Sequence, residues 1–226
     1  MLVFAHFLST FVDIVGIWIL IDRFHVIQGW NFEELALIYG IMQMGFSLAE
    51  TTGRGFDNFG VLIKSGDFDR VLLRPLGTLF QIAARDAQFI KIGRFFQGLI
   101  ILLWGADKLH FSLLSSHAAI IALCTLSTAS LFYGLMVLQA TLAFWTTETL
   151  ELMHITTYGG LQTGQYPITI YNKSFQLFFT FVIPISCVAF YPVATLLHHN
   201  SLPFWIGSVG APLLGVELLG LSERLV

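Results

Sequence analysis

Charge is scarce in this chain, and so are cysteine and the short motifs of catalysis. Only 11% of the residues are Asp, Glu, Lys or Arg, against about 25% in a typical soluble domain. That deficit, beside 56% hydrophobic residues, excludes a soluble globular protein and makes this an integral membrane protein. The 11 Lys+Arg against 14 Asp+Glu leave a net charge of -3, which argues against nucleic acid as a partner, because phosphate binding needs concentrated basic surface. The two cysteines, Cys124 and Cys187, both fall in apolar runs, where a thiol behaves as a small hydrophobe and a disulfide is not expected. There is no Walker phosphate loop, no His-Glu-x-x-His, no Gly-x-Ser-x-Gly and no Cys-x-x-Cys. The chain therefore does not hydrolyse ATP itself, no catalytic residue is assigned, and it is expected to bind no cofactor directly. The His198-His199 pair has no acid or cysteine close in sequence, so it reads as an interfacial turn and no metal ligand is assigned. Met1 opens onto Leu2 and Val3 without a basic segment, so this is not a secretory signal peptide and the first span is expected to start at the initiator methionine.

What is there is a series of apolar runs long enough to cross a hydrocarbon core of about 30 Å. Six spans are expected, near residues 2–21, 32–49, 88–104, 118–145, 174–197 and 204–221, in one transmembrane domain covering 1–226. Asn31 followed by Glu34 is a helix cap with its reciprocal partner, so the second span starts near Phe32, and Trp30 suits a headgroup-level anchor. Lys91 and Arg94 fall in the third span and are expected to snorkel to the interface. Pro184 and Pro192 each remove a backbone hydrogen bond, so the fifth span is expected to be kinked or broken, a candidate gating element. Gly207, Ala211 and Gly215 recur every four residues in the last span, the small-residue pattern of close helix contact and a candidate dimer face.

The basic residues fix an orientation. Five of the 11, Arg54, Lys64, Arg70, Arg74 and Arg85, lie between spans two and three, and Lys91 and Arg94 add to the far edge, so that loop is expected to face the cytoplasm. Alternating spans then put Lys173 and Arg224 inside, with both termini cytoplasmic, and leave Arg23 and Lys108 outside. Two other functional readings come from ionisable groups. Asp13, near the middle of the first span, fits a proton-coupled carrier, or an acid facing the helix bundle. Glu151 and His154, three apart on a helix, fit an intramembrane enzyme, although geometry must support any acid/base role.

The densest charge lies in Lys64-Ser65-Gly66-Asp67-Phe68-Asp69-Arg70-Val71-Leu72-Leu73-Arg74-Pro75. Phe68, Val71, Leu72, Leu76 and Leu79 recur at helical spacing, with acids at the start and arginines after them, the order that complements a helix dipole. Pro75 disfavours helix at Arg74, so about two turns are expected. Such a helix could lie on lipid headgroups or meet an acidic partner surface.

These residues, with Gly29-Trp30, Glu50, Arg54-Gly55-Phe56-Asp57, Gly93-Arg94, Phe144-Trp145, Tyr166-Pro167-Ile168, Tyr171, Ile183-Pro184 and Tyr191-Pro192, resemble the type-2 class of ABC exporter permeases, in its branch of small six-span subunits. The resemblance covers nearly the whole chain. It implies an all-α membrane subunit of the bacterial inner (plasma) membrane that pairs with a second copy or a related permease. Two separate cytoplasmic ATPase subunits would bind ATP and magnesium and drive efflux of a small amphipathic molecule. It also implies that the loop between spans two and three is a short coupling helix, here Gly66, Asp67, Phe68, Asp69, Arg70, Leu73, Arg74 and Pro75. Phe68 is then expected to anchor in a cleft of the ATPase and Arg74 to donate hydrogen bonds there. Permeases of that class usually begin with a basic elbow before the first span and end in a basic tail. Here the span is expected to begin at Met1, and Arg224-Leu225-Val226 follow the last one.

Overall fold

The computed structural model describes residues 15, 29–86, 88, 91–111, 116–145 and 154–197, and these are arranged as helices joined by turns. The organising element is α1, Phe32–Gly53. From Glu34 to Thr51 every residue of it except Leu48 is buried, so it has no solvent face, as expected of a helix apolar on all sides. Its start is fixed by the capping box read from the sequence, with the Asn31 N–H donating to Glu34 Oε2 at 2.9 Å. Trp30 is not the headgroup anchor expected of it. Its ring is buried and meets Phe190 at 5.3 Å, because the chain folds the start of α1 against a later helix.

Past a single 3₁₀ turn, Arg54–Phe56, three short helices follow: α2 Phe59–Lys64, α3 Phe68–Leu72 and α4 Thr78–Arg85. Two long helices, α5 Ile92–Lys108 and α6 Ser116–Leu142, then pack along α1. The closest approach is at Gly40. A Cβ there would stand 2.6 Å from Leu102 Cβ and 2.9 Å from the Gly98 carbonyl of α5, so only glycine lets the two backbones meet, the membrane logic of small residues at helix contacts.

Among the described residues one helix, His117–Leu142, is long and apolar enough by itself to cross a membrane. A second crossing is available from a broken pair. After α7, Gly159–Gly164, the chain forms α8, Lys173–Leu177, which continues as a π-helical turn to Val182. It then bends by 72° into α9, Ile185–Val188, and α10, Phe190–Leu196. The break read from the prolines is therefore present, and Pro184 is its cause. Ile183 just before it is extended, at φ -122 and ψ 92, as the residue preceding a proline is driven to be. Pro192 does less than expected, since it sits in the first turn of α10, where its missing N–H has no helical acceptor to lose. Cys124 and Cys187 are buried and unbridged. Apart from residue 15, the expected first span lies outside the described residues, as do the last span, Asp13, Glu151, the Gly207, Ala211, Gly215 face, His198 and His199.

Candidate coupling site

The charged loop folds as a hairpin of short helices. Gly66 makes its tip, at φ +74, a conformation open to glycine and costly for other residues. Ser65 and Asp67 close the tip with a 3.0 Å hydrogen bond between Oγ and Oδ2, and Arg70 pairs loosely with Asp67 at 3.5 Å. The helix that follows, α3, is shorter than expected. It ends at Leu72, and Leu73, Arg74 and Pro75 form the turn into α4.

The stripe read from the sequence divides accordingly. Val71 is buried and Phe68 and Leu79 are half-buried, whereas Leu72, Leu73 and Leu76 are exposed, Leu73 by 84%. Phe68 is not a free anchor. Its ring stands edge-on to Phe59 at 5.1 Å and to Phe144 at 5.6 Å, and those two rings meet each other at 5.4 Å. The aromatic residue of the loop thus pins α3 to α2 and to the end of α6. The ridge left outward is Asp69, Arg70, Leu72, Leu73, Arg74 and Pro75, apolar at its centre and charged on its flanks.

Two contacts stiffen the hairpin. Gln81 of α4 donates through Nε2 to the carbonyls of Val71, at 3.2 Å, and Leu76, at 2.8 Å, so it holds the end of α3 and the turn together. Gly55, just past α1, lets α4 approach so closely that a Cβ there would lie 1.9 Å from the Ile82 carbonyl oxygen.

Behind the hairpin, at the end of α1, is a buried charge cluster. Glu50 has no exposed side chain at all, and around it stand Lys91 Nζ, 2.9 Å from Oε1, and Arg94, 2.9 Å from Oε2. The Tyr158 hydroxyl donates to Oε1 at 2.7 Å and accepts from Arg54 at 3.0 Å, while Arg54 also pairs with Asp57 at 2.6 Å. Lys91 and Arg94 therefore do not snorkel. Their side chains turn inward, and the Lys91 carbonyl accepts from Ser47 Oγ at 2.7 Å. A carboxylate this deep is tolerable only because charge-assisted bonds occupy both oxygens. Tyr158 lies outside the expected spans. Burial first, then the charge of Glu50, pushes its phenol up to about 12, so it stays protonated and remains a donor.

The arrangement links the outward ridge to the helix bundle. Arg54 is one turn from the hairpin, and Glu50 ties α1 to the start of α5 and to the helical turn His154–Tyr158 before α7. Gln81 ties α4 to the end of α3 and the turn after it, and Gly55, next to Arg54, brings α4 against the end of α1. The sequence held a partial signal for this cluster: Glu50, Arg54 and Asp57 at spacings of four and three on one segment, and Lys91 and Arg94 three apart on another. Tyr158 carried no signal, since nothing local marks a partner 108 residues away.

Of the families compared, the one described as ABC-2 family transporter protein matches this chain over residues 7–225. No curated protein and no solved structure matches it.

Proposed function

The chain belongs to the ABC-2 transporter family, and from that premise we propose that it is the membrane-spanning permease subunit of an ATP-driven exporter, docked on separate ATPase subunits through the ridge at α3. The observation that carries the docking role is an outward ridge held by Gln81 to α4, which packs at Gly55 beside the buried charge cluster. Leu72 and Leu73 supply apolar contact, and Arg70 and Arg74 are charged donors beside them. Phe68 supports the ridge from behind through its ring contacts.

In this reading ATP and magnesium are bound by the partner, and closure of two ATPase subunits moves the ridge. The Glu50 cluster then passes that movement to α1, α5 and the segment before α7. The bend at Pro184 is the element that gives way, because its backbone already lacks a continuous hydrogen-bond ladder. Two ATPase sites call for two permease subunits, and Gly207, Ala211 and Gly215 are the face proposed for that contact. The six-span count and the cytoplasmic placement of the loop and of both termini belong to the same proposal. The cargo is a small amphipathic molecule and the direction is outward.

The test is biochemical. Tagged chain isolated from its native membrane should bring down a protein carrying a phosphate-binding loop, and ATP hydrolysis should co-purify with it. Isolation without any such ATPase, together with transport that collapses with the proton gradient and survives ATP depletion, would turn the assignment toward a carrier.

A further inference from the structure

Beside the ridge, between α3 and α4, is a cleft of about 570 Å³ lined by Arg70, Arg74 and Arg85 and by Val71, Leu76 and Phe80. Asp67 is the one acid on its lining and is already engaged by Arg70. Among the described residues, the side chains of Arg74 and Arg85 have no ion pair and no hydrogen bond. Phe80 is 68% exposed on α4, while Ile82 on the opposite side of that helix is buried. An exposed aromatic ring in the same cleft as these guanidinium groups is costly in water and favourable at a membrane surface, where the ring meets acyl chains and the cations meet phosphates.

We propose that this cleft binds an anionic phospholipid, with the headgroup phosphate held between Arg74 and Arg85 and the start of the acyl chains against Phe80. Guanidinium suits the task because its planar donors match phosphate oxygens. Arg74 belongs to the docking ridge as well, whereas Arg85 lies outside it, so Arg85→Gln tests the lipid site apart from ATPase recruitment.

The experiment uses full-length chain in nanodiscs of mixed phosphatidylglycerol and phosphatidylcholine, with native mass spectrometry counting the lipids that stay bound on release. Wild type should retain phosphatidylglycerol in preference to phosphatidylcholine. Arg85→Gln and Arg74→Gln should each lower that preference about fivefold, and Lys173→Gln, a cation on α8, should leave it unchanged. Equal retention of the two lipids by wild type would overturn the proposal, as would an undiminished preference in both arginine variants. Release of the lipid by millimolar inorganic phosphate would make this a free-phosphate site and would also overturn the lipid assignment.

Discussion

Replacing Glu50 by Gln should damage the fold more than any exposed charge substitution in the loop. The side chain keeps its shape, but the amide can accept from one cation only and presents its own N–H to the other. Lys91 and Arg94, 10% and 16% exposed, would then share a pocket without a counter-charge. Removing one partner of a buried, hydrogen-bonded ion pair costs about 3–5 kcal/mol, a large part of a total stability of about 5–15 kcal/mol. For a chain of this size that corresponds to a fall in melting temperature of about 6–20 °C. Purified chain in detergent, followed by intrinsic tryptophan fluorescence on heating, would measure it. The double variant Glu50→Gln with Lys91→Met should recover part of the loss, because the two sites are coupled through a shared contact. A melting temperature within about 2 °C of wild type for Glu50→Gln would refute the cluster as a structural pin, since the smallest expected loss is several times larger.

Other consequences are testable with the same material. Gly40→Val should separate α1 from α5, at a cost of about 1–3 kcal/mol from overpacking, read as a lower melting temperature with unchanged ATPase recruitment. Tyr158 has a phenol raised to about 12 against an ordinary 10.0. Above pH 10 the unfolded chain releases that proton while the folded chain keeps it, so stability should fall between about pH 10 and 12, and Tyr158→Phe should flatten that slope. Ala211→Leu should weaken permease pairing, scored by cross-linking, because added bulk separates a small-residue face; unchanged oligomers would remove that face from the interface. Asp13→Asn should leave ATP-driven transport intact, and its abolition with normal assembly and ATP hydrolysis would promote the carrier reading.

Membrane character, the capped start of α1 and the break at Pro184 were legible because each is written locally, in composition, in a four-residue cap and in a proline. The arginine-rich loop was legible as a distinct element for the same reason. Its inner and outer faces were not. Phe68 has the right spacing for an outward stripe, yet the side it presents is decided by Phe59 and by Phe144, 76 positions further along. Lys91 and Arg94 were read as snorkelling because a cation at a span boundary ordinarily reaches for water, and the competing partner, Glu50, sits 44 residues away from Arg94 on another helix. The close contact of α1 with α5 at Gly40 was missed too, since one glycine in an apolar run does not announce which helix it admits.

The central claim, that the α3 ridge recruits an ATPase, is tested most directly by the affinity of the purified ATPase subunit for the chain in nanodiscs. Leu73→Asp and Arg74→Ala, both outward and outside the buried cluster, should leave insertion and melting temperature as in wild type. Each should weaken ATPase binding about thirtyfold, the loss of about 2 kcal/mol expected for an interface anchor. Wild-type affinity in both variants would contradict the account.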